Sequence, residues 1–452
     1  MKIAILGAGE SGVGAALLAK AKGLNVFVSD SGEIKPIYQE KLRAAEIPFE
    51  SGSHDSVRIL AADEIIKSPG IPDKAALIQQ AKTNNIPVIS EIEFASRYTQ
   101  AKFICITGTN GKTTTTLLTY HLLKSAGFNV GLAGNIGESL AEKVIRDEYE
   151  YYVVELSSFQ LDGMFQFKAH IGILLNITPD HLDRYEYSMA KYAQSKLRIT
   201  QNMTPADYFI YNADDKLINE YFDPAGFNGQ VIPFSIENQQ QSKAYYSDSK
   251  LINNYGAIEE QIDTSTSVLI GKHNQYNTAA AVLAAKLVGV SSGSISQSLA
   301  TFTNADHRLQ PVGEANGVRY INDSKATNVE AVWYALDGIN QPIVWIAGGV
   351  DKGNDYTALH ALAKEKIKAL ICLGVDNNKL IKSFTGVISV IDETQSVEEA
   401  VQKAKGLATS GDVVLLSPAC ASFDLFNNYE HRGRRFAEAI KKIVLEPLQQ
   451  EN

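Results

Sequence analysis

The sequence predicts an α/β protein of three domains, each built on a mostly parallel sheet. Three observations carry that prediction. The chain has 452 residues, whereas single hydrophobic cores stop growing at about 250–300 residues. Short apolar, β-branched runs alternate with helical patterns along nearly all of it, the pattern of βαβ units. Two of the early runs lead straight into a glycine-rich turn that opens a helix, at residues 7–12 and 108–111.

Taken in order, the first block (1–98) has predicted strands at 2–6, 25–29, 64–67 and 87–89. The second (99–304) opens with a strand at 103–107, passes through the glycine-rich loop into a helix at 114–126, and adds strands at 151–154 and 171–176. Its segment 236–267 is polar, rich in Gln, Asn and Ser, and reads as irregular connections and edge strands. The third block (305–452) has predicted strands at 318–321, 343–347, 369–373 and 413–416 with helices between.

Composition narrows the class. A content of 45% hydrophobic and 21% charged residues is that of an ordinary globular chain. A formal net charge of −9 argues against nucleic acid as a partner. It leaves anionic substrates open, because a local cluster of lysines, backbone N–H groups and Mg²⁺ can override the global sign. Cys105, Cys372 and Cys420 are too few and too far apart for a disulfide framework or a zinc site. The run at residues 3–6 is broken by Gly7, so it reads as a strand and not a signal peptide. No stretch approaches the ~20 apolar residues of a membrane span, so no membrane insertion is expected, and the expected setting is a reducing cytoplasm.

Ile-Thr-Gly-Thr-Asn-Gly-Lys-Thr-Thr occupies residues 106–114, between strand and helix. Glycines suit a phosphate cradle there because backbone N–H groups must point inward, and the helix N-terminus favours anions. Gly108, Thr109, Asn110, Gly111, Lys112, Thr113 and Thr114 are therefore candidate ATP ligands, with Lys112 reaching the terminal phosphates and Thr113 ligating Mg²⁺. The bland alternative is a tight strand–helix turn with an accidental Lys-Thr. Glu155 ends an apolar strand, where a carboxylate faces the loop rim and suits Mg²⁺. Asp180, His181 and Asp183 follow another strand at that rim, and His181 reads as a metal or substrate contact. Tyr192 and Lys196 lie one helical turn apart, and spacing alone makes Lys196 a solvated lysine.

Gly7-Ala-Gly-Glu-Ser-Gly12, with Asp30 ending the next strand, satisfies the dinucleotide fingerprint. An NAD-dependent oxidoreductase is one reading of it; the same geometry serves any nucleoside diphosphate. A non-catalytic ATP-driven switch is a further alternative.

The loop at 108–113, the Glu155 strand and Asp180-His181 together resemble the Mur ligase family, ATP-dependent amide-forming enzymes of peptidoglycan synthesis. Ile321-Asn-Asp-Ser-Lys-Ala-Thr-Asn328, the run from Ser417 to Phe426 and Arg432-Gly433 look like its D-glutamate-adding branch. Sibling ligases and folylpolyglutamate synthase share the phosphate loop but not those third-block residues. The resemblance implies a Rossmann-like N-terminal domain, a central P-loop ATPase domain and a Rossmann-like C-terminal domain. It implies a monomeric ligase that phosphorylates the carboxylate of UDP-N-acetylmuramoyl-L-alanine with ATP and lets D-glutamate attack the acyl phosphate. Carried over by position, Lys112, His181 and Lys196 would be catalytic, and Thr113 and Glu155 would hold one Mg²⁺. His181 and a carbamylated Lys196 would serve a second Mg²⁺. Asn274, Asn277, Arg308 and Asp323 would contact ATP. Glu10, Ser11, Asp30, Ser31, Gly70, Asn135 and His181 would bind the UDP-linked substrate. Lys325, Thr327, Lys352, Ser422, Phe423 and Tyr429 would bind D-glutamate.

Overall fold

The computed structural model describes residues 1–237, 242–247, 249–256, 259–269 and 271–445. They form two compact units: Met1–Val268 with Gln275–Phe302, and Leu269–Asn274 with the chain from Thr303 onward. Three sheets organise them, two in the first unit and one in the second.

The first sheet runs Phe49–Ser51, Asn25–Asp30, Lys2–Leu6, Glu64–Lys67, Val88–Ile89, all parallel. Lys2–Leu6 is central because four of its five residues are buried, which only a strand covered on both faces allows. The helix Glu10–Ala21 follows it through the glycine-rich turn. A side chain at Gly12 would collide with the Gly7 carbonyl, so the turn can close this tightly only with glycine.

The second sheet has nine strands in the order Glu260–Asp263, Lys250–Asn253, Ala244–Ser247, Gln230–Ser235, Tyr208–Asn212, Ile171–Leu174, Lys102–Thr107, Tyr151–Glu155, Val130–Gly134. It is parallel from Val130–Gly134 as far as Ala244–Ser247, and the last three strands are antiparallel. The polar segment expected to give edge strands does so, in three four-residue pieces; its residues 238–241, 248 and 257–258 lie outside the described residues. Lys102–Thr107 sits between Tyr151–Glu155 and Ile171–Leu174, so the loops leaving all three strands meet at one rim, where ligands bind in open α/β sheets.

The third sheet runs Gln310–Ala315, Val318–Asn322, Val413–Ala419, Ile343–Gly348, Ile367–Leu373, Ile391–Thr394, parallel but for its first strand. Every residue of Ile343–Gly348 and Val413–Ala419 is buried. The α/β, three-sheet architecture read from the sequence is the observed one. Two ends differ. The helix expected from residue 114 begins at Lys112, capped by left-handed Gly111, and the strand expected to reach 176 stops at Leu174.

Candidate functional site

The phosphate loop is held open by its own polar chemistry. Gly108 has φ +154° and Gly111 φ +82°, conformations that favour glycine. A Cβ on Gly111 would also strike the Asn277 side chain. The Asn176 side chain accepts from the backbone N–H groups of Thr109 (3.0 Å) and Asn110 (2.8 Å) and donates to the Asn110 carbonyl at 3.1 Å. Thr109 Oγ1 donates to the Thr178 carbonyl (3.1 Å) and lies 3.2 Å from the Tyr192 hydroxyl. The loop is thus tied to the strand end that leads to Asp180 and His181. Lys112 curls back, its Nζ donating to the carbonyls of Gly108 (2.8 Å) and Thr109 (2.7 Å). Thr113 and Thr114 are buried in the first helical turn, and Thr115 Oγ1 reaches Asn277 Oδ1 at 3.2 Å.

Lys196 departs from its spacing-based reading. It is only 2% exposed, its Nζ donates to the Gly108 carbonyl at 2.8 Å and lies 4.6 Å from the centre of the Tyr192 ring. Burial first, then the charge of Lys112, holds its amine well below the ordinary lysine range. The solvated face suggested by helical spacing is wrong because the helix Met189–Leu197 turns this side chain inward, under the phosphate loop.

Glu155 is buried at the end of its strand, as expected. Its Oε1 accepts from the Asn135 amide at 2.8 Å, and its Oε2 is buried with no hydrogen-bond partner. A buried carboxylate oxygen left unsatisfied is costly, and a Mg²⁺ ion beside Thr113 would satisfy it. Among the described residues no three His, Cys, Asp or Glu side chains form a ready-made metal cluster. His181 has φ +50°, lies 3.6 Å from Asp180 and packs edge-on against Phe159. Arg184 stacks on that same Phe159 and donates to the carbonyls of Gly70 and Pro69. The rim with His181 is thereby joined to the 68–71 turn of the first block.

In that first block Asp30 accepts from the Ala8 (2.7 Å) and Gly32 (2.8 Å) N–H groups, and Ser68 Oγ donates to the Gly7 carbonyl. Glu10 and Ser31 are exposed, Ser11 half-buried. Burial, with Glu142 and Glu138 nearby and against Lys41, raises the Glu10 carboxyl above the usual range.

In the second unit, Asp323 accepts from the Leu309 N–H (3.1 Å) and the Ser417 hydroxyl (2.9 Å). Burial nonetheless pushes it up to about 7, with Arg308 opposing. The Nε of Arg308 is buried without a partner. Burial, then the charge of Arg308, pushes His273 down to about 4; Asn274 is buried one residue on. The D-glutamate candidates gather where three neighbouring strands end, in the loops after Val318–Asn322, Ile343–Gly348 and Val413–Ala419. Lys325 Nζ stands 5.4 Å from the Tyr429 ring centre, Thr327 is half-buried and Ser422 is buried. Lys352 and Phe423 (71%) are exposed.

The sequence reading missed what binds these loops together. Arg432, 1% exposed, donates to the carbonyls of Ser324 (2.9 Å), Gly348 (3.3 Å) and Cys420 (3.2 Å) and to Ser324 Oγ at 3.0 Å. Burial lowers this guanidinium to about 10. The role of Asn176 was likewise missed; its place at the very end of the predicted strand 171–176 was the available signal.

Comparison with known proteins covers the same three regions. Residues 1–90 match the MurD-like N-terminal domain of Mur ligases, 106–285 the Mur ligase middle domain and 307–420 the Mur ligase glutamate ligase domain. The UDP-N-acetylmuramoylalanine–D-glutamate ligase of Christiangramia forsetii is 50% identical over 442 residues, covering 98% of this chain and 99% of its own. The enzyme of the same name from Cytophaga hutchinsonii is 51% identical over 447 residues, again across 98% and 99%. Among solved structures, the UDP-N-acetylmuramate-alanine ligase of Thermotoga maritima superposes with a TM-score of 0.62 at 20% identity, over 98% of this chain and 100% of its own. A pseudomurein peptide ligase of Methanothermus fervidus gives the same TM-score at 21% identity, over 98% and 99%. These two bear on the fold alone.

Proposed function

The chain belongs to the Mur ligase family, and we propose that it joins D-glutamate to UDP-N-acetylmuramoyl-L-alanine with ATP, in the cytoplasm, as a step of peptidoglycan synthesis. The observation that carries this reading is identity of about half the residues, over nearly the full length, to relatives named for that reaction.

The residues support a two-step course. An oxygen of the L-alanyl carboxylate attacks the γ-phosphorus of ATP, the bond to the leaving ADP oxygen breaks, and an acyl phosphate forms. The D-glutamate amine then adds to the acyl carbon, loses a proton, and phosphate departs as the amide forms. Both steps bring anions together, so the protein's share is positioning and charge stabilisation. Lys112 swings from the Gly108 and Thr109 carbonyls to the γ-phosphate, exchanging neutral acceptors for a charged one. Thr113 and Glu155 Oε2 would hold one Mg²⁺, and His181 with a carbamylated Lys196 a second; bound there, the ions neutralise phosphate charge. An amine adds CO₂ in its neutral form, which burial and the charge of Lys112 favour at Lys196, and this supports the carbamate. Asn274, Asn277, Arg308 and Asp323 serve ATP; Glu10, Ser11, Asp30, Ser31, Gly70 and Asn135 serve the UDP-linked substrate. Lys325, Thr327, Lys352 and Ser422 offer cations and hydroxyls to the two carboxylates of D-glutamate, beside Phe423 and Tyr429. The Gly7–Gly12 turn then holds a uridine diphosphate and not NAD.

Phosphate release measured with UDP-N-acetylmuramoyl-L-alanine, ATP and single amino acids tests the reading. Release is expected with D-glutamate and not with L-glutamate or L-alanine. Release that ignores the amino acid supplied would sink it.

A further inference from the structure

Glu91 is a buried acid that the mechanism does not use. Glu91 opens the helix Glu91–Ser96, between the first and second sheets, and its Oε1 accepts from the Ala141 N–H at 2.5 Å, with Ser139 and the Leu140 N–H also donating to the carboxylate. Its charge would thus meet the otherwise orphan donors at the start of the helix Leu140–Val144. The segment so held begins at Gly134-Asn135, and Asn135 is the residue that grips Glu155. A second contact ties the segment to the glycine-rich turn: Ser139 lies against Gly14 of the helix Glu10–Ala21 so closely that a Cβ on Gly14 would collide with its hydroxyl.

We propose that Glu91 is a positioning residue for the UDP-linked substrate, holding the loop that carries Asn135 in register with the glycine-rich turn. The proposal rests on the reading that Gly7–Gly12 and Asn135 contact that substrate. Its chemical neighbour Glu93 supplies the contrast. Glu93 accepts from the N–H groups of Phe165, Gln166 and Phe167 at 2.9–3.2 Å, anchoring a turn that holds none of the nominated residues. One short helix therefore carries two buried acids of like kind, only one of which reaches the substrate loop.

The groups acting on Glu91 are its three donors at 139–141 and the charge of Glu10, which is itself influenced by Glu142, Glu138 and Lys41. Burial pushes the Glu91 carboxyl up to about 7. The ionised form is the stronger acceptor, so the loop is held more firmly above that pH.

Steady-state kinetics of the full-length Glu91→Ala, Glu91→Gln, Glu93→Gln and Asn135→Ala variants test this. Displacing a substrate-positioning group by an ångström costs about ten- to a hundredfold. A rise of that size in KM for UDP-N-acetylmuramoyl-L-alanine is expected in Glu91→Ala, with the KM values for ATP and D-glutamate unchanged. In wild type, kcat/KM for the UDP-linked substrate should rise through about pH 7; Glu91→Gln, the isosteric variant, should lack that step, while Glu93→Gln keeps it. A Glu91→Gln profile that overlies wild type would overturn the proposal, as would three KM values rising together. If Asn135→Ala itself leaves KM for that substrate unchanged, the underlying placement of substrate fails instead.

Discussion

Lys196 shows how a single residue's role depends on what lies above it. Four residues after Tyr192 on one helix, it reads from spacing as a solvated cation, yet it is buried under the Gly108 carbonyl with Lys112 nearby. Two lysines at one loop repel when both are charged, and burial with that repulsion holds the Lys196 amine well below the ordinary lysine range. Lys112, by contrast, is half-exposed. Lys196→Ala is expected to lower kcat by about a hundred- to a thousandfold, the usual loss when one preorganised charge-stabilising group is removed. Added formate or acetate should restore part of that rate, because a small carboxylate can occupy the volume and replace the oxygens of a carbamate. Activity equal to wild type, measured by phosphate release, would return Lys196 to a packing role.

At the scale of elements, the proposed amino-acid pocket depends on three neighbouring strand ends and on the helix Tyr429–Leu445 that binds them. From its first turn Arg432 reaches Ser324, 108 positions away, and Gly348, 84 away. No motif scan could join those positions, because all but one of these bonds end on backbone carbonyls, which carry no sequence signature. The strands themselves were legible because buried parallel strands are written as near-continuous apolar runs, as in Val413–Ala419. Strands without such runs were missed: Val130–Gly134 is interrupted by Gly131 and ends in Gly134, and Ile391–Thr394 carries Asp392 and Glu393. Arg432→Met keeps much of the volume and removes every donor. Losing a charged hydrogen bond costs about 1.5–3 kcal/mol, so KM for D-glutamate is expected to rise roughly ten- to a hundredfold, with KM for ATP unchanged. Equal D-glutamate affinities for variant and wild type would detach Arg432 from the pocket.

At the scale of the molecule, the two compact units each bury a carboxyl that folding pushes to about 7: Glu91 in the first, Asp323 in the second. The ordinary values of these carboxyls are 4.5 and 3.8, so each folded unit binds its proton more tightly than the unfolded chain does. Stability from each group is therefore complete below about pH 4 and is lost progressively as pH rises to about 7. With one pKa unit worth about 1.4 kcal/mol, Glu91 withdraws roughly 3 kcal/mol and Asp323 roughly 4 kcal/mol across that window. Units with separate cores need not melt as one, and separate linkage gives each transition its own marker. Urea unfolding followed between pH 5 and 8 should show Glu91→Gln flattening the pH dependence of one transition and Asp323→Asn that of the other. Each substitution replaces an acid that must ionise by an amide that cannot, so the difference from wild type should be greatest at the alkaline end. If both variants flatten the same single transition, the units unfold cooperatively; if neither changes the slope, the two acids are ionised at an ordinary carboxylate pKa and their buried hydrogen bonds outweigh desolvation.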